Sequence, residues 1–255
     1  MKFKRILAAF LSVLCLASCE EFLTEDPTTS LSEGTVYSNE ANLEAGVIGV
    51  YWSLKTSNYS WTTQMSEFCS FPSILIHWKD NRTAENYIQS LRLSMFPHSA
   101  ENQGLYDYLY ASIYKCNKMI EAMIDSPVDQ TYKNEIEGEV KFIRAWQYFA
   151  AVRFWGDIPL ILNTPKNIDE TDAPRVHYME VYKQILSDIE YAEQNMRTPE
   201  RVAEVGGMTG RPNRWAATAV KASVYMQIAC LIENKDYQFF DWQNNPSRDC
   251  DFSSI

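Results

Sequence analysis

Trp78, Asn81 and Arg82 form the sharpest cluster of binding-type side chains in this 255-residue sequence. An indole can stack on the apolar face of a sugar ring, while an amide and a guanidinium can bond its hydroxyls. The cluster sits in an irregular, aromatic-rich region, residues 56 to 98, where Tyr59, Trp61, Phe68, Phe71, Tyr87 and Phe96 are broken up by Ser, Thr, Pro and Asn. No period of 2 or 3.6 covers it, and long loops on a regular scaffold are where binding residues concentrate. The alternative is that Trp78 packs beneath its own loop. Cys19 carries a different chemistry. Lys2, Lys4 and Arg5 precede an apolar run from Ile6 to Ala17, which is too short to span a bilayer as a helix, and Leu16-Ala17-Ser18-Cys19 then matches a bacterial lipobox. The Cys19 thiol accepts the diacylglycerol and the signal peptidase cuts before the lipidated residue, so residues 1–18 are expected to be a lipoprotein signal peptide and residues 19–39 a lipidated start and tether.

Other chemistries find less support. Glu139 stands at the margin of the apolar face of a central helix and Arg153 in its middle, without a His, Cys or Ser in register, so a buried ion pair involving Arg153 is expected rather than catalysis. Acidic residues are plentiful, but no pair is marked by apolar seclusion as a glycosidase pair would be, and an enzyme is not expected. After maturation Cys69, Cys116, Cys230 and Cys250 remain, with no CxxC spacing, and His77, His98 and His177 are scattered; neither a metal site nor a cofactor is expected. Cys116 and Cys230 fall inside helical patterns and read as buried small apolar residues. The Gly-rich stretch from Pro199 to Gly210 lacks the GK[ST] ending of a phosphate cradle. A formal charge of −10, more negative still once three basic signal residues are removed, argues against nucleic acid or an anionic membrane surface as partner. No further stretch of about 20 apolar residues is apparent, leaving the lipid as the expected membrane attachment.

The elements that would position these residues are helical. Leu43, Val47, Val50 and Leu54 recur at 3,4 spacing behind Ser38 and Asn39, either of which can cap, predicting a helix over about 40–54. Tyr106, Leu109, Tyr110, Ile113, Asn117, Ile120 and Ile124 predict a second, ended by Pro127. The third is the organising one. From near Thr131 to Gly156 it is rich in Ala, Phe, Trp and Tyr, with only Glu137, Lys141, Arg144 and Gln147 as a polar edge, so it should be wrapped by other helices. Gly156 offers a turn without a Cβ, and Pro159 bars re-entry into helix. After a loop with two prolines, Tyr178, Val181, Tyr182, Ile185, Ile189, Ala192 and Met196 predict a fourth helix whose solvated side carries Asp188, Glu190 and Glu193. A last helix, about 214–232, is capped by Asn213 and has two apolar sides: Ala217, Val220, Val224, Ile228 and Leu231 on one, Trp215, Ala219, Ala222 and Met226 on the other.

Gly138, Glu139, Phe142, Arg144, Ala145, Tyr148 and Phe149, closed by Gly156-Asp157-Ile158-Pro159-Leu160, resemble the central signature of SusD/RagB-type outer-membrane lipoproteins. The opening Cys-Glu-Glu-Phe-Leu with Asp26-Pro27, the helix ending Gly49-Val50-Tyr51, the Tyr106–Ile120 helix and Gly210-Arg211 before an Ala-rich run are similar to the same family. The likeness spans roughly residues 16 to 235. It implies an all-α fold of tetratricopeptide-like helical hairpins with long irregular loops, a SusD-like N-terminal helical domain over 40–235, and an irregular tail over 236–255 where the likeness stops. It also implies a non-catalytic nutrient-binding lipoprotein, usually for oligosaccharides, that forms a lid over a SusC-like TonB-dependent transporter. Glu20 and Glu21 after Cys19 would then mark display on the cell exterior. The structural signature carried over is Gly138, Glu139, Arg144, Arg153, Gly156 and Pro159; no ligand contact carries over, so Trp78, Asn81 and Arg82 rest on their chemistry alone. In the family about as much chain again follows, beginning with another Ala-rich helix. A truncated fragment of such a protein, or a helical scaffold whose partner is protein only, are the alternatives.

Overall fold

In the computed structural model the described residues are 37–54, 100–167, 170, 172–205 and 210–233, all within one compact unit that runs from Tyr37 to Ile255. Its elements are α1 (Glu40–Ser53), α2 (Ala100–Ile124), α3 (Gln130–Trp155), β1 (Ile158–Pro159), β2 (Arg175–Val176), α4 (Tyr178–Asn195), the short α5 (Pro199–Glu204) and α6 (Arg214–Glu233). The fold class is all-α, as the sequence implied. Successive long helices pack on one another, α1 on α2, α2 on α3, α3 on α4 and α4 on α6.

Local chemistry sets the ends. Asn39 Oδ1 accepts the Asn42 amide at 2.9 Å and caps α1, and Asp129 Oδ2 accepts those of Thr131 and Tyr132 and caps α3. Asn213 Oδ1 accepts the Trp215 amide at 3.0 Å, as expected for α6. α5 falls inside what reads as a Gly-rich loop; Thr198 caps it and Pro199 opens it, the position where a missing N–H costs nothing. α3 ends at Gly156, whose φ of +65° is open to a residue without a Cβ.

α3 is buried nearly all round, with Ile136, Val140, Ile143, Ala145, Tyr148, Ala150 and Ala151 in the core. Two apolar clusters form along it. One joins α1, α2 and α3 through Leu43, Val47, Val50, Cys116, Met119 and Ile136. The larger joins α2, α3, α4 and α6 around Leu109, Tyr148, Tyr182, Ile185 and Val224. Gly138 lies where α4 ends against α3: a Cβ there would stand 3.1 Å from the Met196 backbone nitrogen, so a larger residue would require the turn at Met196 to give by a few tenths of an ångström.

Several expectations are corrected. Arg153 is exposed, not buried in an ion pair; its Nε donates to Phe149 O at 3.1 Å and its guanidinium lies over the Phe149 ring. Arg144 and Gln147, assigned to a solvated edge, are buried, and so is Asp188. The cause is common to all three: helices cover α3 on more sides than one apolar stripe implies. Ile124, at the end of α2, is 73 % exposed. Cys116 is buried as expected, whereas Cys230 is exposed on α6. By length and composition α6 is also apolar enough to cross a membrane, against the reading of no such stretch. Its inner side, Ala217, Val220, Val224 and Ile228, is nevertheless buried in the larger cluster. Trp215, Ala219, Ala222 and Met226 face outward, so the two apolar sides have different surroundings.

Candidate functional site

Cys19, Trp78, Asn81, Arg82, Cys69 and Cys250 lie outside the described residues. What the structure describes is the helical frame on which such a loop would stand, and that frame has three built regions.

The first is a buried charge centre joining three helices. Arg144 of α3 forks onto Asp188 of α4, Nε to Oδ2 at 2.8 Å and NH2 to Oδ1 at 2.7 Å, while NH1 donates to Asn117 Oδ1 of α2 at 2.9 Å. Gln184 Nε2 donates to Asp188 Oδ1 at 2.9 Å. Burial disfavours the guanidinium charge, but the bonds to Asp188 outweigh it and hold the Arg144 pKa above its usual range. The Asn117 amide turns the other way and donates to Ile161 O at 2.8 Å. Tyr148 OH also donates to Ile161 O and accepts from Ile161 N, so the segment just after β1 is tied down at Ile161 on both its donor and its acceptor. Burial pushes Cys116, beside this centre, up to about 12. Such a thiol stays protonated and is a packing residue, not a nucleophile.

The second region is a clamp of carboxylates and arginines. Arg211, in the segment leading to α6, grips Glu139 of α3 through Nε and NH2 and reaches Glu44 of α1 through NH1. Arg197, just past α4, bonds Glu135 through Nε at 2.8 Å and pairs with Glu44 through NH2 at 2.7 Å. Arg201 of α5 shares Glu135 at 3.0 Å. Tyr51 OH donates to Glu139, and Tyr132 OH to Glu44 at 2.6 Å. Burial raises the Glu44 carboxyl, but its bonds to Tyr132, Arg211 and Arg197 prevail and hold it below the usual carboxylate range. Burial and then the Glu44 bond push Tyr132 up to about 12. A carboxylate held low by several donors is a poor proton carrier near neutral pH, so this arrangement fastens helices together. Glu139, on the margin of α3 and a candidate partner for Arg153, is thus paired instead with Arg211, more than seventy residues away.

The third region is an aromatic ledge where α2 begins and α3 ends. The Tyr106 and Tyr110 rings lie 4.5 Å apart, Trp155 stands edge-on to Tyr106 at 5.4 Å, and Phe154 is 5.6 Å from Trp155. All four are half-buried. Burial, then Tyr106, push the Tyr110 hydroxyl well above the usual phenol range, with Arg175 of β2 opposing. That hydroxyl donates to Pro159 O at 2.7 Å, so Tyr110 is committed to the frame. The part-exposed Tyr106 and Trp155 rings retain surface that an apolar sugar face could stack upon. The 3,4 spacing on α2 marks Tyr106 and Tyr110 as helix-packing residues; that the end of α3 would bring Trp155 beside them depends on the hairpin and is not visible locally. Among the described residues, no group of three or more His, Cys, Asp or Glu side chains is placed to hold a metal ion.

Known proteins resemble this chain in sequence and in fold. The family model described as "Starch-binding associating with outer membrane", of SusD-like type, matches residues 21–226. SusD-like protein P25 of Formosa agariphila is 28 % identical over 244 residues, covering 89 % of this chain and 44 % of that protein. A SusD-like protein of Bacteroides ovatus is 24 % identical over 98 % of this chain and 42 % of its own length. The chain therefore spans less than half the length of these curated relatives. Among solved structures, a SusD superfamily protein of Bacteroides vulgatus superposes with a TM-score of 0.65 at 17 % identity, covering 78 % of this chain and 42 % of that one. A laminarin-binding SusD-like protein superposes with a TM-score of 0.62 at 21 % identity, over 74 % and 40 %.

Proposed function

The chain belongs to the SusD-like family of outer-membrane-associated starch-binding proteins, and from that premise we propose that it is, or is the helical part of, a non-catalytic glycan-binding lipoprotein of the cell surface. In this reading it captures oligosaccharides and hands them to a SusC-like TonB-dependent transporter. The family match over residues 21–226 carries the proposal. The frame is consistent with it: the buried charges lock helices together, as suits a rigid platform whose loops do the binding. Cys19 supplies the lipid anchor. Trp78, Asn81 and Arg82 supply stacking and hydroxyl bonding, with the half-buried rings of Tyr106 and Trp155 as a second stacking surface.

The test is native electrophoresis of the chain from Glu20 to Ile255 through gels cast with starch, laminarin and other polysaccharides. Retardation in at least one is expected, and Trp78→Ala should reduce it while helical circular dichroism stays intact. Migration unaffected by every polysaccharide would refute glycan capture by this chain and favour a helical scaffold whose partner is a protein.

A further inference from the structure

The start of α4 is capped by an ionisable ring. His177 Nδ1 accepts the Met179 amide at 3.2 Å, so a neutral imidazole does here what Ser, Thr, Asn or Asp does at most helix starts. The His177 carbonyl accepts the Glu180 amide at 2.9 Å, and Asp157 Oδ1 accepts that of Tyr178 at 3.0 Å. Of these acceptors, His177 Nδ1 is the one of a type that takes up a proton near neutral pH. A protonated Nδ1 puts a hydrogen where the Met179 N–H points, and a positive charge at the positive end of the helix. Burial also opposes that charge. The opposite side of the balance is built as well. The ring stacks on Tyr178 with centroids 4.4 Å apart, and the Glu180 carboxylate favours the cation. Both attractions survive without the bond to Met179, so the protonated ring has another seat. The other charged groups on the elements that meet here are Asp157 after α3, Arg175 of β2, and Lys183, which pairs with Glu180 at 3.0 Å.

What the cap holds extends beyond α4. β2 leads directly into His177 and pairs Val176 with Ile158 and Arg175 with Pro159. A ladder of two residues has little stability of its own and depends on what anchors it. One anchor is the capped start of α4. The other is Tyr110, whose hydroxyl donates to Pro159 O at 2.7 Å. The Tyr110 ring in turn lies 4.5 Å from that of Tyr106, against which Trp155 stands edge-on. We propose that His177 is a proton-operated catch: neutral, it holds the start of α4 and β2 against β1 and so fixes the aromatic ledge; protonated, it lets the first turn of α4, the β1–β2 pair and the Tyr110–Pro159 bond loosen together. The held ring has a pKa below 6.5, so the hold weakens as pH falls through about 6.5. A ligand that needs a rigid ledge would, by linkage, lower the proton affinity of His177 in return. The catch stands whether or not the ledge binds glycan.

The experiment follows amide hydrogen exchange in the chain from Glu20 to Ile255 by NMR, at about pH 7.5 and about pH 5, where carboxylates of ordinary pKa keep their charge. Rates are expressed as protection factors, so that the pH dependence of exchange itself cancels. Protection at Tyr178 and Met179 should fall about fivefold at the lower pH, as expected for a lost cap, while Ile185, buried further along α4, stays unchanged. The ring resonances of Tyr106 and Tyr110 should shift with the midpoint of the His177 ring titration. His177→Asn keeps an acceptor that takes up no proton, and it should hold both the protection and the tyrosine resonances constant. Unchanged protection in the wild type, a loss that persists in His177→Asn, a loss shared equally by Ile185, or tyrosine resonances that do not follow His177 would each overturn the proposal.

Discussion

Arg144 shows how a single residue can be read wrongly from a helical wheel and still be central. Sequence patterning places it on a polar edge of α3 and Asp188 on the solvated side of α4; in the structure they bond each other in the buried interior. A wheel assigns polar residues outward by default, and it has no access to a partner 44 residues away. Replacing Arg144 by Met should cost roughly 3–5 kcal/mol in urea unfolding, because Asp188 is left charged and buried. Changing Asp188 to Leu as well should recover most of that loss. Arg153→Ala should cost only on the order of 0.5 kcal/mol, as an exposed side chain lying over Phe149. His177 adds a pH-dependent contribution. Its Nδ1 accepts the Met179 amide at the start of α4 at 3.2 Å, which requires that nitrogen unprotonated. Burial, partly opposed by Glu180, lowers its pKa from 6.5. A folded-state pKa below the unfolded one means that the unfolded chain gains a proton first as pH falls. Stability should therefore decline as pH drops through about 6.5, levelling off below the folded pKa. His177→Asn keeps an acceptor at the cap without a titrating ring, and thermal unfolding between neutral pH and pH 5 should lose that slope; an unchanged slope would assign it to other groups.

At the level of elements the sequence was far more legible. The five long helices lie where apolar spacing and cap residues put them, because apolar positions at 3,4 spacing record a buried face, even on α3, where burial extends nearly all round. Gly156 to Leu160 was also readable as a stop, and the structure supplies the reason for each residue. Gly156 takes a positive φ, Asp157 Oδ1 accepts the Tyr178 amide at 3.0 Å and so holds the start of α4, Ile158 is buried, and Pro159 O accepts from Tyr110. Ile158 and Pro159 then pair antiparallel with Val176 and Arg175. The short α5 was missed because Pro199 and the glycines beyond it favour turns in isolation, and α5 gains its hold through Arg201 on Glu135. The clamp around Glu44, Glu135 and Glu139 was invisible for the same reason as Arg144: its members come from α1, α3 and the segments around α5, and only the fold assembles them. Gly138 carries the sharpest prediction here. With backbone, not a flexible side-chain tip, 3.1 Å from its Cβ position, Gly138→Ala should force α4 off α3 and cost roughly 1–3 kcal/mol in denaturant unfolding, despite alanine's better helix propensity. A stabilised variant would mean that the Met196 turn yields easily.

For the whole molecule, two candidates for attachment to a membrane differ in kind. One is the lipid that the Leu16–Cys19 motif invites. Several acyl chains, at ~0.8 kcal/mol per buried CH₂, would anchor the chain firmly whatever the rest of the surface does. The other is α6, whose outer side is apolar and whose length and composition pass for a spanning segment. The structure argues against spanning, because α6 buries its inner side on α4 and would have to abandon that packing to enter a bilayer. The net charge of −10 also disfavours adsorption to anionic lipid. We therefore expect the wild-type chain in the membrane fraction, labelled by palmitate, and Cys19→Ala unlabelled and released. The informative control is Trp215→Lys in the Cys19→Ala background. If Cys19→Ala alone stays with the membrane and the added lysine frees it, α6 rather than a lipid is the attachment. If palmitate still enters the Cys19→Ala chain, the lipobox reading is wrong. If both variants are soluble, the lipid alone anchors the protein and the apolar face of α6 has no part in attachment.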